Sequence, residues 1–242
     1  MNVDVNIQVG LTGRRQRLSP IWLDAASIGA ASQWAGSYHV LSMGEHYDDY
    51  VVTSRVLTLP SIHGIPRAHP YERLTGKIRA AGVTGNIGEA VAAIFARRYL
   101  MTTIGEIAHV RPRQPFRRRR YPDYLMRLGR SMPNIFGSIL PTNQSFNWPD
   151  WWPVESKART TGGGCKLARR DALRQLIAYW SLLVSAQPSI VGFGLIVTFA
   201  YRPPREVHVN IMLPHDQQRL VSLLRADGEN SDLRETRMCL YG

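Results

Sequence analysis

Lysine and cysteine are scarce in this chain. Among its 30 lysine and arginine residues only Lys77, Lys157 and Lys166 are lysine. The two cysteines, Cys165 and Cys239, form neither a disulfide framework nor a Cys/His metal spacing, which points to a reducing compartment. The first residues lack a basic region followed by an apolar run, so no secretory signal is expected and the chain is placed in the cytoplasm. Acidic residues are the minority: 18 Asp and Glu leave a net charge of +12 and a pI near 10.3. A field of that sign selects polyanionic partners, nucleic acid first, then acidic membrane surfaces or acidic proteins. The arginine bias suits planar recognition of phosphate, and a GC-rich genome would leave the same bias.

Long apolar runs are few, and one membrane candidate is weighed: Gln175 to Tyr201 carries no charged residue over a length that could span a bilayer. Gln187-Pro188-Ser189 interrupts it, and its second half is rich in glycine and β-branched residues. It reads as the end of a buried helix, a turn and a buried strand, so no membrane partner is expected.

What is present supports a folded core. At 242 residues and 44% hydrophobic content, the chain fits one large domain or a core domain with an appendage. Val3, Val5, Ile7 and Val9 alternate with polar residues, the period of a half-buried strand. Gly10 to Arg17 reads as a basic turn, Pro20 to Gly44 as loosely helical, and Tyr50 to Leu59 as a strand. Ile87, Val91, Ile94 and Phe95 make an apolar stripe that predicts a helix from about Ile87 to Leu100. Asn86 stands as its N-cap and Glu89 nearly completes a capping box. Strands are expected over Ile104 to Val110, Asp123 to Leu128 and Trp151 to Arg159. A second helix covers about Lys166 to Val184, with Gly162-Gly163-Gly164 as a flexible turn before it. A buried strand (Ile190 to Ala200), the Pro203-Pro204 turn, an alternating strand (Val207 to Leu213) and a short helix (Asp216 to Arg225) follow. Residues 1–80 form a subdomain or an elaboration of the same sheet, and 81–242 the main domain.

The chemistry concentrates between Tyr121 and Arg159. On a strand, Glu155, Lys157 and Arg159 share one face, and Val154, Ser156 and Ala158 the other. If the strand from Asp123 pairs beside it, Asp123 lies next to Glu155. Two neighbouring carboxylates repel, and a hard divalent cation resolves that repulsion. Such a cation can activate water and offset the charge that builds as a phosphodiester is cut. Lys157 can orient that water or stabilise the same charge. Oxygen ligands without a Cys/His cluster favour Mg²⁺, with Mn²⁺ as a substitute.

Pro122-Asp123 followed by Glu155-Ser156-Lys157 resembles the PD-(D/E)XK nuclease superfamily. The resemblance implies a restriction-endonuclease-like α/β core of helix, three strands, helix and strand. Here it would carry an N-terminal elaboration and an extra C-terminal strand and helix. It implies Asp123 and Glu155 as metal ligands and Lys157 as the catalytic lysine. It adds Glu89 as a further acid from the first helix, and Gln175, in Gln175-Leu176-Ile177-Ala178-Tyr179, as a site residue. No Gly-x-x-x-His stands on the first helix, a departure from the RecB-type pattern. The implied function is a metal-dependent nuclease of the restriction, recombination, repair or phage-defence type. DNA is the expected substrate because that family acts on it most often, and a homodimer or larger assembly is open.

Plainer readings stand beside these. Glu155 and Lys157 would also suit a solvated ion pair, and Glu89 a cap. Gln175 and Tyr179 would also suit hydrogen bonds at the edge of the core. Arg117, Arg118, Arg119 and Arg120 repel one another unless a polyanion lies near, and with Arg159, Arg169 and Arg170 they are the expected phosphate contacts. Trp148, Trp151 and Trp152 could stack on bases or pack at a strand entrance. A non-catalytic, basic nucleic-acid-binding or assembly protein keeping the same fold is the rival reading.

Overall fold

The computed structural model describes residues 2–23, 39–40, 50–54, 81–100, 107–112, 122–128, 139–140, 148–159, 161–200 and 203–242. For residues 39–40, 50–54, 81–86 and 107–112 the description is of the backbone alone.

The chain is a mixed α/β protein. Its strands are β1 (Asn2–Val9), β2 (Arg15–Trp22), β3 (His39–Val40), β4 (Tyr50–Ser54), β5 (Ile107–Pro112), β6 (Tyr124–Arg127), β7 (Trp151–Arg159), β8 (Gly194–Ala200) and β9 (Glu206–Met212). The helices are α1 (Ala81–Tyr99), α2 (Gly162–Leu183), α3 (Gln217–Asp227) and α4 (Leu233–Met238). Among the described residues, the strands join one open sheet in the order β2-β1-β9-β8-β7-β6-β5-β4-β3. The first strands therefore sit at the two edges of the same sheet, β1 and β2 on one side and β3 and β4 on the other.

From α1 onward the order is helix, three antiparallel strands, helix and a strand. β5, β6 and β7 form the antiparallel meander, and α2 carries the chain over to β8, which lies parallel to β7. A parallel neighbour needs such a crossover. β9 returns antiparallel to β8, and β1 adds parallel to β9.

The period-2 pattern places the core. Val3, Val5 and Ile7 of β1, Val154 and Ala158 of β7, Leu195, Val197 and Phe199 of β8, and Val207, Val209 and Ile211 of β9 share one cluster with Ile87, Val91 and Phe95 of α1. The opposite face carries Leu125, Ile196 and Met212, packed against Leu173, Leu176, Ile177 and Trp180 of α2 and Leu220 and Leu224 of α3. The long uncharged stretch divides into the end of α2, a 3-10 turn at Pro188–Ile190 and β8. Among the described residues no helix is long and apolar enough to cross a membrane.

Several expectations change. α1 begins at Ala81, so Asn86 and Glu89 lie inside the helix and the capping-box role for Glu89 fails. Arg15–Trp22 is an edge strand rather than a basic turn leading into a helical segment. Gly162, Gly163 and Gly164 are the first turn of α2, where Thr161 Oγ1 accepts from the Gly164 N–H at 3.3 Å. That cap offsets the weak helix propensity of three glycines. Strand β8 starts only at Gly194, and the tail adds α4, capped by Asp232 accepting from the Arg234 and Glu235 N–H groups.

Candidate functional site

The pairing of β6 with β7 sets the site. Tyr124 lies opposite Val154 and Leu125 opposite Pro153, so Asp123, one residue before β6, falls beside Glu155. Glu155 is fully buried, and Lys157 is 19% exposed and contacts Glu155 Oε1 through its Nζ. The residues of β7 on the other face, Val154 and Ala158, are in the α1-side core. Alternation along one strand thus delivers an acid and an amine to the same face.

Asp123 is fixed by β7 itself. The backbone N–H and the Oγ–H of Ser156 both donate to Asp123 Oδ2, each at 2.7 Å. Ser156 belongs by alternation to the opposite face. Asp123 reaches it because it lies just before Tyr124, the first residue of β6 paired with β7. Glu89 enters from α1, where its Oε2 accepts from the Tyr124 Oη at 3.3 Å.

Electrostatics ties the groups together. Burial pushes the Glu155 carboxyl well above its ordinary value, and the neighbouring Asp123 charge pushes it further, while Lys157 opposes both. Asp123 is also raised, first by burial, then held back by Lys157 and the Ser156 hydrogen bonds and pushed up by Glu89. Burial lowers Lys157, but the charges of Glu155 and Asp123 outweigh it and the ammonium ends above its ordinary value. The lysine is therefore a cation at neutral pH. It can donate hydrogen bonds and offset negative charge, but it cannot take a proton. Glu155 Oε2 is buried with no hydrogen-bond partner, a position that favours protonation unless a cation arrives.

Asp123, Glu155 and Lys157 thus come together, and Glu89 acts on Asp123 from α1. Gln175 is half-buried on α2. Arg117, Arg118, Arg119 and Arg120 lie outside the described residues. Arg159 is half-buried, its Nη1 donating to the Ala158 carbonyl at 2.8 Å. Arg170 is exposed, whereas Arg169 is buried at 6% exposure. Trp152 is in the core, stacked on Trp148 at 5.6 Å between ring centroids, with its Nε1 donating to the Pro149 carbonyl. Among the described residues no group of three or more His, Cys, Asp and Glu side chains is arranged to hold a metal.

Two residues escaped the sequence reading. Ser156 sits between the two residues of interest, and strand alternation assigns it to the core. Gly88 lies on the α1 face that meets β7: a Cβ there would stand 3.0 Å from Ala158 N and 3.2 Å from Lys157 C. Only glycine lets α1 settle onto the backbone of β7 at that point and bring Glu89 to the site.

Compared with protein-family models, curated proteins and solved structures, the chain matches none.

Proposed function

We propose that the chain is a divalent-metal-dependent nuclease, with DNA as its first candidate substrate. The observation that carries this reading is the crowding of Asp123 and Glu155 against the Lys157 ammonium, with one Glu155 oxygen buried and unpartnered. The order helix, three antiparallel strands, helix, parallel strand supports it, being the order that the PD-(D/E)XK resemblance implies. The net charge of +12 supports a polyanionic substrate.

The donor set fits a hard divalent ion. Two carboxylate oxygens suffice for Mg²⁺, which keeps several waters and binds through one or two carboxylates together with substrate phosphate. Asp123 and Glu155 would hold it, with Glu89 near Asp123. When bound, the ion supplies Lewis-acid polarisation of the phosphate and activation of water. Ser156 fixes the Asp123 carboxylate and favours its charged form. Glu155 holds the Lys157 ammonium, which is placed to donate to the attacking water or to a phosphate oxygen as charge builds there. Tyr124 holds Glu89 at the edge of the site.

Nicking of supercoiled plasmid in Mg²⁺ or Mn²⁺ tests the reading, run beside Asp123→Asn and Lys157→Met. Each substitution is expected to lower cleavage by about 100-fold or more, the scale of losing a charge-stabilising group. Cleavage that survives both would contradict it. Tight DNA binding without cleavage in either metal would favour the non-catalytic binding protein.

A further inference from the structure

The face of the sheet that carries Glu155 and Lys157 holds further buried polar side chains beyond them, interrupted by Ile196. Strand register aligns Lys157 with Thr198, Thr198 with His208, and His208 with Asn6, and the next row holds Glu155, Ile196, Asn210 and Gln8. Gln8, Thr198, His208 and Asn210 are all buried. A polar strip buried across four strands is costly unless something satisfies it.

Guanidinium groups gather at the end of this strip, beside the first turn of α2. Arg159 aligns through Ala200 with Glu206, and a Cβ on Gly164 would stand 3.3 Å from Arg159 Cβ. Arg169 lies one turn into α2 from Cys165, at 6% exposure, with its Nη1 buried and without a partner. Arg15 is exposed at the rim, its Nε held by Gln8 Oε1 at 3.1 Å. The fields of these groups overlap. After burial, Arg15 is the next cause that lowers Arg169, and both arginines act to lower His208.

The negative charge among them is Glu206, whose Oε1 accepts from His208 Nε2 at 2.9 Å and would lie 3.1 Å from a Cβ on Gly162. Burial lowers His208, so the imidazole is neutral at pH 7, and burial raises the Cys165 thiol, which stays uncharged. Asp4, next to Glu206 in that row, is paired with Arg17 at 2.6 Å, so Glu206 is the carboxylate left to the three guanidiniums, and a buried N–H of Arg169 has no acceptor.

We propose that Arg169, with Arg15 at the rim and Arg159 on the side of Lys157, forms a phosphate-binding subsite at the start of α2. It is distinct from the Asp123 and Glu155 centre. Lys157 and His208 stand two strands apart, about 10 Å at ordinary strand spacing, so the subsite would hold a phosphate displaced from the one being cut. Bound oxyanion would supply the acceptor that Arg169 lacks and balance the excess positive charge. Its assignment to nucleic acid rests on the function proposed above, but the binding of phosphate does not.

Calorimetric titration of the full chain with inorganic phosphate at constant ionic strength tests the subsite. The wild type is expected to bind one phosphate. Arg15→Gln, at an exposed position, should weaken binding tenfold or more, and Arg169→Gln at least as much. Asp123→Asn should leave it unchanged. No heat of binding, or equal binding in the wild type and Arg15→Gln, would overturn the subsite. So would loss of binding in Asp123→Asn alone, which would place the phosphate at the other centre. Phosphate binding lost only in the arginine variants, in a protein that never cleaves DNA, would keep the subsite and remove the nuclease.

Discussion

Replacing Gly88 by alanine puts a methyl group 3.0 Å from Ala158 N, 3.2 Å from Lys157 C and 3.4 Å from Lys157 Cα. All three are backbone atoms in the middle of the sheet, so the helix must give way rather than β7. Overpacking of this kind costs about 1–3 kcal/mol, while alanine in a helix interior returns about 0.8–1.0 kcal/mol relative to glycine. Gly163→Ala supplies the control, because a Cβ there meets only Thr161 Oγ1 at 3.9 Å. It should stabilise by about 0.4–1 kcal/mol. The two variants should therefore differ by about 1–3 kcal/mol, the packing cost alone. In a chain of this size each kcal/mol moves Tm by about 2–4 °C, well within reach of calorimetry or urea denaturation. Gly88→Ala should also lower cleavage more than Gly163→Ala, since the shift carries Glu89 away from Asp123. If Gly88→Ala stabilised the protein as much as Gly163→Ala, the seating of α1 on β7 described above would be wrong.

Ser156→Ala removes one of the two hydrogen bonds to Asp123 Oδ2 and keeps the backbone one. A bond to a charged group contributes about 1.5–3 kcal/mol, so cleavage should fall about 10- to 100-fold. An unchanged rate would show that the clamp does not matter to the reaction. The site also predicts a pH dependence for the metal-free protein. Glu155 is raised in the folded state, so its contribution to stability is full below the unfolded value of about 4.3 and is lost as pH rises through the folded value. Urea denaturation from acid to neutral pH should therefore show wild-type stability falling relative to Glu155→Gln, and a constant difference between the two would refute the raised carboxyl.

The centre was legible because strand alternation is strict. Trp151 to Arg159 read as one strand from its sequence, and its period alone put Glu155 and Lys157 on one face. The order of elements from the first helix onward was equally open to the 3.6 and 2 periods. The start of α1 was not, because Ala81 to Asn86 lacks an apolar stripe and Asn86 imitates a cap. Glycine misled at α2, where Thr161 supplies the cap that turns three glycines into a first helical turn. The two most informative positions gave no local signal at all. Ser156 acts across the sheet through a residue outside the paired part of β6, and Gly88 acts by lacking a side chain where two backbones meet. Arg169 read as a phosphate contact from its charge, but the sequence carried no sign of its burial or of the charges that act on it there, Arg15 and Glu206, which are distant in the chain.

The central claim is that Asp123 and Glu155 together hold one divalent ion, and Mn²⁺ titration followed by electron paramagnetic resonance tests it without reference to cleavage. The wild type should bind one Mn²⁺, releasing protons because Glu155 is raised in the free protein, and Glu155→Gln and Asp123→Asn should each bind it at least tenfold more weakly. Equal Mn²⁺ binding by the wild type and both variants would contradict the account.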